Sequence, residues 1–345
     1  MTLGIGVIGV VSLVYTLLFG VVQWSAGAFS PRLPIFRGDA LVWRTFGSAI
    51  GVFVFCTVAA VAGTDLPRVS VLVPVVAILG VLTTIALIRQ LQTRAFLSIQ
   101  LAYVLEVVAA RGRRVIDRLY PPRPGTHDEG PAEPPAELPP PVRTIVWAGR
   151  HGVVQQLDLR QLVEAASRVD GVVHFRVAVG DTIVEGTPLA AVVRGDLPDD
   201  LVRRAVVRGR ERSFDQDPMF AFRLLADIGL RALSTAVNDP ATAVDALDTT
   251  DELLQHLATR DLTAVEVHDA SGEVRARLVV PAWSDYLRTA VTDLLPTARA
   301  SPMVLRRMLL LLDHLAEAAR SVDRARLEPI RDEVLSALGG PGRRG

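Results

Sequence analysis

The hydrophobic and polar positions fall into three long uncharged runs followed by shorter, alternating segments. The runs Leu3 to Val22, Thr45 to Thr64 and Val69 to Ile88 contain no charged residue. Each is long enough to cross a hydrocarbon core of roughly 30 Å as a helix. A cleaved signal peptide is the alternative for the first run, but that run lacks a basic n-region and exceeds the usual apolar length of about 7 to 15 residues. We therefore predict three transmembrane helices.

The hydrophobic pattern stays helical from Gln90 to Leu119, and two arrangements of this stretch are open. If the third run continues, residues 69–119 form one rod of roughly 75 Å. If the helix breaks near Arg89, the second half lies along the membrane surface with its arginines on anionic lipid. In both cases residues 1–119 form the membrane part with its helical extension, and the proline-rich residues 120–141 form a semi-extended linker.

After the linker the pattern changes to short strands and amphipathic helices, which predicts a cytoplasmic α+β region. Residues 142–198 are predicted to form a small β-rich module, residues 199–338 a helical α+β domain, and residues 339–345 a disordered tail. The predicted fold class is a membrane protein with three transmembrane α-helices followed by this α+β region. Particular elements are a hairpin of Arg143–Trp147 with Gly152–Leu157, a second hairpin of Ala264–His268 with Glu273–Val280, and one helix from Trp283 to Leu295.

Arginine positions predict the direction of the membrane part. Three arginines lie between the first and second runs and six follow the third run before the linker, whereas the loop between the second and third runs is neutral. The positive-inside bias places the N-terminus outside and everything after the third run in the cytoplasm, with the cell membrane as the location. Because no inside anchor precedes the first run, the sequence leaves open whether a fourth span lies upstream.

Composition excludes several classes of function. All 37 basic residues are arginine, so no lysine is present for a Schiff base, a phosphate-binding loop or a lipoyl group. Cys56 is the single cysteine, which rules out an intrachain disulfide or a thiolate metal cluster. After residue 119 the chain holds 27 arginines against 33 acids, and this acidic excess argues against nucleic acid as a partner. We expect no cofactor, and the lipid bilayer as the first partner.

The uncharged runs are rich in small residues. Gly47 and Gly51 form a GxxxG pattern in the second run, and such a pattern lets helix backbones approach closely. It would serve packing within one chain or contact between copies, so a homo-oligomer is one of the assemblies that we consider.

Two helices of the C-terminal domain are predicted to begin in the same way. In Asp217-Pro218 and in Asp239-Pro240, an acidic N-cap precedes a proline at the first helical position. The helices are expected from Met219 to Thr235 and from Ala241 to Leu257, with Asn238 and Asp239 in the turn between them. Most of the polarity of this turn therefore has a capping explanation.

A polar stripe remains on the first of these helices, where residues 223, 227, 231 and 234 recur at spacings of four, four and three. As exposed ion pairs these groups would contribute only about 0.2 to 0.5 kcal/mol each. Between packed elements the same groups would receive an anion or a partner's carboxylate. The candidate ligand or partner face consists of Arg212, Arg223, Asp227, Arg231, Ser234, Asn238 and Asp239.

Catalytic motifs are missing from the sequence. The six histidines show no HxxxH spacing, and there is no GxSxG elbow, no GxGxxG after a strand and no phosphate-binding loop. Asp215 and Asp217 are close enough to act as paired acids, but the N-cap role already accounts for Asp217. We expect neither a metal site nor an enzyme.

Three stretches carry a family resemblance: GAFSPRLPIFRGDALVWRTFGSAIGVFVF at 27–55, the GDTIVEGTPLA segment, and RSFDQDPMFAFRLLADIGLRALSTAVNDPATA at 212–243. Together they resemble the bacterial predicted membrane proteins called domain of unknown function 2254, over nearly the whole chain. The string from Arg231 to Ala243 is the most specific part. The resemblance implies an integral membrane protein with a cytoplasmic domain, and it supplies no reaction.

Two functions fit these expectations. The first is a non-enzymatic oligomeric assembly with a pore or transport-related role, in which glycine-bearing spans pack around an axis. The alternative is a membrane-anchored sensor or scaffold that binds an anionic ligand or a protein through Arg212, Arg223 and Arg231.

Overall fold

The second and third uncharged runs form two long helices in the computed structural model. Helix α1 spans Ala40–Ala62 and helix α2 spans Leu72–Ser98. Both are long and apolar enough to cross a membrane, and both expose many large apolar side chains, as lipid-facing helices do. The structure describes seven single positions between residues 6 and 20 and then residues 40–62, 71–98, 100–123, 140–262, 265–318 and 321–339.

The first predicted span, Leu3 to Val22, lies mostly outside the described residues. Its described positions are helical, and the ring of Tyr15 packs edge-on against Phe46 of α1 with the centroids 5.5 Å apart. The structure thus supports two membrane-spanning helices, α1 and α2, and does not confirm three. Residues 124–139 of the predicted linker and residues 340–345 of the predicted tail also lie outside the described part.

Helices α1 and α2 pack through a glycine of α2. A Cβ atom on Gly80 would lie 2.8 Å from Cγ2 of Val52, so any side chain here would displace Val52 and the glycine permits the close approach of the helices. Nearby, the hydroxyl oxygens of Ser48 and Thr84 lie 2.8 Å apart and form a hydrogen bond between the helices. By contrast, Cβ atoms built on Gly47 and Gly51 meet nothing within 4 Å among the described residues. The GxxxG pattern is therefore not the contact that joins α1 to α2.

The stretch after α2 is not one continuous helix. Helix α2 ends at Ser98 and a new helix, α3, spans Leu101–Leu119. Of the two arrangements that the sequence left open, the single rod over residues 69–119 is not formed, and the break lies between Ser98 and Leu101. The chain divides into two units, Met1–Val104 and Leu105–Gly345, so most of α3 belongs to the second.

Three arginines of α3 make contacts within the second unit. Arg113 forms an ion pair with Glu252, and Arg118 donates to the backbone oxygen of Asp215 at 3.5 Å. The guanidinium of Arg111 lies 5.5 Å from the centroid of the Phe214 ring, which is a cation–π distance. Three of the arginines that we considered for anionic lipid are thus engaged by protein groups.

The second unit contains two β-sheets, and its first half alternates strands with short helices. The five-stranded sheet has the order β1-β5-β3-β8-β7, and the three-stranded sheet has the order β4-β2-β6. The elements are β1 (Arg143–Val146), β2 (Gly152–Leu157), α4 (Arg160–Arg168), β3 (Val172–Phe175), β4 (Thr182–Ile183), β5 (Pro188–Arg194), α5 (Asp199–Ala205), β6 (Val206–Gly209), β7 (Val265–His268) and β8 (Val274–Leu278).

The hairpin predicted from Arg143 to Leu157 is wrong, although both of its strands exist. β1 pairs antiparallel with β5, whereas β2 pairs antiparallel with β4 and β6 in the other sheet. Alternation predicts which residues of a strand face the core, and it says nothing about the strand's partner. The second predicted hairpin is confirmed, since β7 and β8 pair antiparallel around a turn at Asp269–Gly272.

The two sheets share one hydrophobic core that also takes side chains from the later part of the chain. Ile145 of β1, Val154 of β2 and Val202 of α5 are fully buried in it, together with Ala276 of β8. Because β3 pairs with β8 in parallel, the residues after 198 complete the sheet that begins before them.

The remaining α-helices that the structure describes in the second unit are α6 (Met219–Ala232), α7 (Pro240–Ala258), α8 (Trp283–Leu287), α9 (Leu295–Ala298), α10 (Pro302–Ala318) and α11 (Ser321–Gly339). Helix α7 packs against both α6 and α10, and α10 packs against α11. The single helix predicted from Trp283 to Leu295 is wrong, because a π-helical turn at Arg288–Thr292 follows α8 and the chain turns before α9. Pro296 lacks a backbone N–H and lies in the first turn of α9, where that loss is harmless.

Candidate functional site

Helix α7 begins with the predicted Asp-Pro device, whereas α6 begins at Met219 with Pro218 in the N-cap position, so the N-cap predicted at Asp217 is wrong by one residue. Asp239 is the N-cap of α7: its carboxylate accepts from the backbone N–H of Thr242 at 3.2 Å and from the Thr242 hydroxyl at 2.7 Å. These bonds hold the pKa of Asp239 below its ordinary value. Asp217 accepts from the backbone N–H of Phe220 at 3.1 Å at the start of α6. Each aspartate satisfies one of the backbone donors that a helix start leaves open.

In the predicted polar stripe of α6, Arg223 and Ser234 each contact a group other than a side chain of the stripe. Nη1 of Arg223 lies 3.7 Å from Asp293, which follows the π-helical turn, so this arginine is directed to another element. Asp227 is half-buried and has a partner. Ser234 donates its hydroxyl to the backbone oxygen of Arg231 at 2.7 Å and so closes the last turn of the helix. Two of the four polar side chains are thus accounted for by packing and capping.

Arg231 differs from its neighbours on the stripe. Its side chain is half-buried in the last turn of α6, and its Nε is buried with no hydrogen-bond partner among the described residues. A cation in this position suits the negative end of the helix macrodipole, which accounts for the charge. The macrodipole does not explain why the Nε–H group is buried without an acceptor, since such a donor costs about 1 to 3 kcal/mol.

The turn after Arg231 is exposed and tightly folded. Residues 235–238 are exposed, and Asn238 has a φ of +48°, a left-handed conformation that asparagine tolerates better than most residues. The backbone N–H of Asp239 closes the turn on the oxygen of Ala232 at 2.8 Å. Arg231 therefore lies beside an exposed loop whose own backbone is already hydrogen-bonded.

Arg212 lies in a different place, in a buried polar cluster that sequence reasoning missed. Its Nη1 donates to Oδ2 of Asp217 at 3.1 Å, and the Asp217 side chain is 1% exposed. Gly180, with a φ of +96°, packs on this pair: a Cβ there would lie 2.6 Å from Oδ2 of Asp217 and 2.8 Å from Cζ of Arg212. Glycine is required at residue 180 by both the space and the backbone conformation.

Two buried tyrosines complete this cluster. The hydroxyl oxygens of Tyr120 and Tyr286 lie 2.9 Å apart, and the charge of Asp217 acts on both phenols. Burial raises the pKa of each tyrosine above its ordinary value, so both are neutral at physiological pH. Burial also raises the pKa of Asp217 to about 6, and the Arg212 guanidinium and the N–H groups of Phe220 and Met219 oppose that rise.

The seven predicted residues are therefore not brought together as one face. Arg212 belongs with Asp217, Arg223 with Asp293, and Asp239 with the start of α7, which leaves Arg231 as the member whose Nε has no described acceptor. Asp217 was predicted as the N-cap of α6, but Gly180 packs on its pair with Arg212 and its charge acts on Tyr120 and Tyr286, which all lie far away in sequence. No short motif could have shown that contact.

A second buried carboxylate, also missed, joins α7 to α10. Asp251 is 2% exposed and accepts from Nη2 of Arg307 at 2.8 Å, from Nδ1 of His314 at 2.7 Å and from the Gln255 amide at 2.9 Å. Buried carboxylates need such donors, and here each donor is supplied by α7 or α10. Within the described ranges, no three histidine, cysteine, aspartate or glutamate side chains are arranged to hold a metal ion.

Comparison with known proteins gives a family and no activity. The family described as "Predicted membrane protein", domain of unknown function 2254, matches residues 2–314. Uncharacterised proteins of Mycobacterium bovis and Mycobacterium tuberculosis are each 30% identical to this chain over 249 residues, which is 69% of this chain and 46% of the relative. The chain thus spans about half the length of these curated relatives. No solved structure matches the chain.

The family match covers α1, α2, the Gly180 turn, Asp217 and helix α6, which carries Arg231. Its description agrees with the two apolar helices α1 and α2. The chain belongs to the family of predicted membrane proteins called domain of unknown function 2254.

Proposed function

We propose that this chain is a non-enzymatic, membrane-anchored binding protein whose C-terminal unit takes an anionic ligand, or an acidic group of a protein partner, at Arg231. The observation that carries the proposal is the buried Nε of Arg231, which has no acceptor among the described residues. A guanidinium presents its donors in a rigid fork, and a carboxylate or phosphate matches that fork with two parallel hydrogen bonds.

The surroundings of Arg231 support binding. The neighbouring loop at 235–238 is exposed, so a ligand reaches the guanidinium from solvent. The backbone N–H groups of Val237 and Asn238 donate to the oxygen of Ser234, and that of Asp239 donates to the oxygen of Ala232, so these three loop donors are already satisfied. An acceptor that arrives with the ligand relieves the cost of the unpaired donor, and this favours the bound state.

We also propose the topology for this function. The N-terminus lies outside the cell membrane, the Leu3 to Val22 run is a third span, and the C-terminal unit lies in the cytoplasm, where Arg231 meets soluble anions and cytoplasmic proteins. The arginine distribution supports this direction.

Anion-dependent stability tests the role of Arg231. The full chain is purified in detergent and its Tm is measured in phosphate, in citrate and in chloride at equal ionic strength. We expect phosphate or citrate to raise the Tm of the wild type, since a ligand that binds only the folded state stabilises it. Arg231→Gln should abolish the rise and Arg306→Gln, at an exposed position of α10, should keep it. An equal rise in both variants would contradict the proposal.

A second candidate function, the oligomeric assembly with a pore or transport-related role, is favoured by one observation. Gly47 and Gly51 have open space beside them among the described residues, whereas Gly80 makes the contact between α1 and α2. An open GxxxG surface fits a helix from a second copy.

Mass measurement separates the two candidates. For the assembly, light scattering of the detergent complex should give a multiple of 37.2 kDa after subtraction of the detergent. Gly51→Leu should reduce that mass, and Val58→Leu, at an exposed position of the same helix, should leave it unchanged. A strict monomer without ion flux in liposomes would exclude the assembly and leave the Arg231 proposal standing.

A further inference from the structure

A groove of about 640 Å³ runs between helix α4 and the end of the five-stranded sheet, far in sequence from Arg231. Leu159, Val163 and Val267 form its apolar part. Ser167 of α4 donates to Asp269 at 3.0 Å, which fixes the end of the helix beside the end of β7. The Nε of the buried Arg275 donates to Asp269 at 2.6 Å, so Asp269 is fixed in position on this side of the groove.

Strand β7 is the last strand of its sheet, and its described residues pair only with β8. Such an edge strand carries a row of backbone N–H and C=O groups that no neighbouring strand satisfies. Its four residues, Val265–His268, extend over about 13 Å at roughly 3.3 Å per residue. The free edge of β7 therefore offers a place for one more strand, next to the groove that α4 lines.

The side chains of α4 along this groove alternate in charge. Arg160, Glu164 and Arg168 all line the groove and are all exposed. They lie four residues apart, so successive charges are separated by about 6 Å along the helix axis. Neither arginine has an ion-pair partner among the described residues, which leaves two cations with one anion between them.

The spacing of these charges matches an extended chain. Residues on one face of a strand recur every second position, at about 6.6 Å, which is close to the 6 Å between successive charges of α4. A segment with an acid, a base and an acid at alternate positions would place each charge opposite its complement. The residues between them would point to the other face of the sheet.

We propose that the groove between α4 and β7 is a docking site for an extended segment of a partner protein. The segment carries an acid, a base and a second acid at alternate positions and adds to the sheet beside β7. Main-chain hydrogen bonds to β7 supply affinity, and pairing with Arg160, Glu164 and Arg168 supplies selectivity.

Fluorescence anisotropy with the full chain in detergent tests the charge match. The probe is the fluorescein-labelled peptide Thr-Glu-Val-Arg-Val-Glu-Thr, and the comparison peptide is its charge-swapped form, Thr-Arg-Val-Glu-Val-Arg-Thr. We expect saturable binding of the probe below about 1 mM and at least tenfold weaker binding of the swapped peptide. The triple variant Arg160→Glu, Glu164→Arg, Arg168→Glu should reverse this preference, whereas Arg306→Glu should not.

Backbone methylation tests strand addition. Two versions of the probe carry N-methyl groups on alternate amides, one on the even positions and one on the odd positions. Only one set of amides faces β7, so one version should bind at least tenfold more weakly than the other. Equal binding of the two versions, an unchanged preference in the triple variant, or no saturable binding up to 1 mM would overturn the proposal. All variant positions are exposed, and an unchanged Tm shows that the fold is kept.

Discussion

The hydroxyl groups of Tyr120 and Tyr286 lie 2.9 Å apart and join the end of α3 to α8 across 166 residues of sequence. Both side chains are fully buried, and Phe222 of α6 packs edge-on against Tyr286. This one hydrogen bond therefore ties the helix that follows the membrane part to the interior of the C-terminal unit.

Loss of either hydroxyl should destabilise the chain. Tyr286→Phe leaves the buried hydroxyl of Tyr120 without its partner, which costs about 1 to 3 kcal/mol. The double variant Tyr120→Phe, Tyr286→Phe should cost less than the sum of the single changes, because no unpaired group remains. Urea unfolding of the full chain in detergent measures these differences. If the double variant costs as much as the two single changes together, the two hydroxyls do not form a direct hydrogen bond. Tyr103→Phe on α3 is the control.

The raised pKa of Asp217, about 6, makes stability depend on pH in a definite direction. A carboxyl whose pKa is higher in the folded than in the unfolded chain binds more protons when folded, so its contribution is present at low pH and is lost as the pH rises towards 6. From pH 5 to pH 7 this loss should be about 1 kcal/mol. The difference in unfolding free energy between wild type and Asp217→Asn, measured at both values, should change by that amount. A pH-independent difference would show that Asp217 is ionised throughout.

Gly180 should tolerate no side chain, and Gly186 provides a matched control. Both glycines have a positive φ, so an alanine at either residue raises the energy of the folded backbone by the same roughly 1 to 2 kcal/mol. A Cβ at Gly186 meets nothing within 4 Å, whereas a Cβ at Gly180 collides with Asp217 and Arg212. Gly180→Ala should therefore cost about 1 to 3 kcal/mol more than Gly186→Ala. Equal costs for the two changes would mean that the Arg212–Asp217 pair does not pack on residue 180.

Removal of the Asp251 carboxylate should weaken the contact between α7 and α10 and lower the free energy of unfolding. Asp251→Ala leaves Arg307 and His314 without their shared acceptor; because Arg307 keeps its ion pair with Asp248, we expect a cost of about 1 to 3 kcal/mol. Asp245→Ala, at an exposed position of the same helix, should change stability by less than about 0.5 kcal/mol. Urea unfolding compares the two variants, and similar costs would contradict the shared-acceptor role.

Local features of the fold were predictable from the sequence and long-range ones were not. The Asp239 cap, the β7–β8 hairpin and the α1 and α2 helices each depend on residues that are close in sequence, and all are present. The partners of β1 and β2 and the buried cluster around Asp217 depend on residues from distant parts of the chain. Hydrophobic alternation and capping motifs carry no information about such pairings.

The same distinction applies to the candidate site. Spacing predicted Arg223, Asp227, Arg231 and Ser234 on one side of a helix; the first three lie on α6 and Ser234 lies just beyond its end. The roles of these residues depend on what packs there. Asp293 reaches Arg223 from beyond the π-helical turn that replaced the expected helix. Only the packed structure shows that the Nε of Arg231 is buried without a described acceptor.

Arginine Nε–H resonances give the most direct test of ligand binding at Arg231. In the ¹⁵N-arginine-labelled full chain in detergent, the Arg231 resonance is assigned by its loss in Arg231→Lys and is followed during titration with phosphate and with citrate. A saturable shift of this resonance with at least one anion, with that of Arg306 unchanged, is the result that we predict. A resonance that stays in place with both anions while other arginines shift would contradict binding at Arg231.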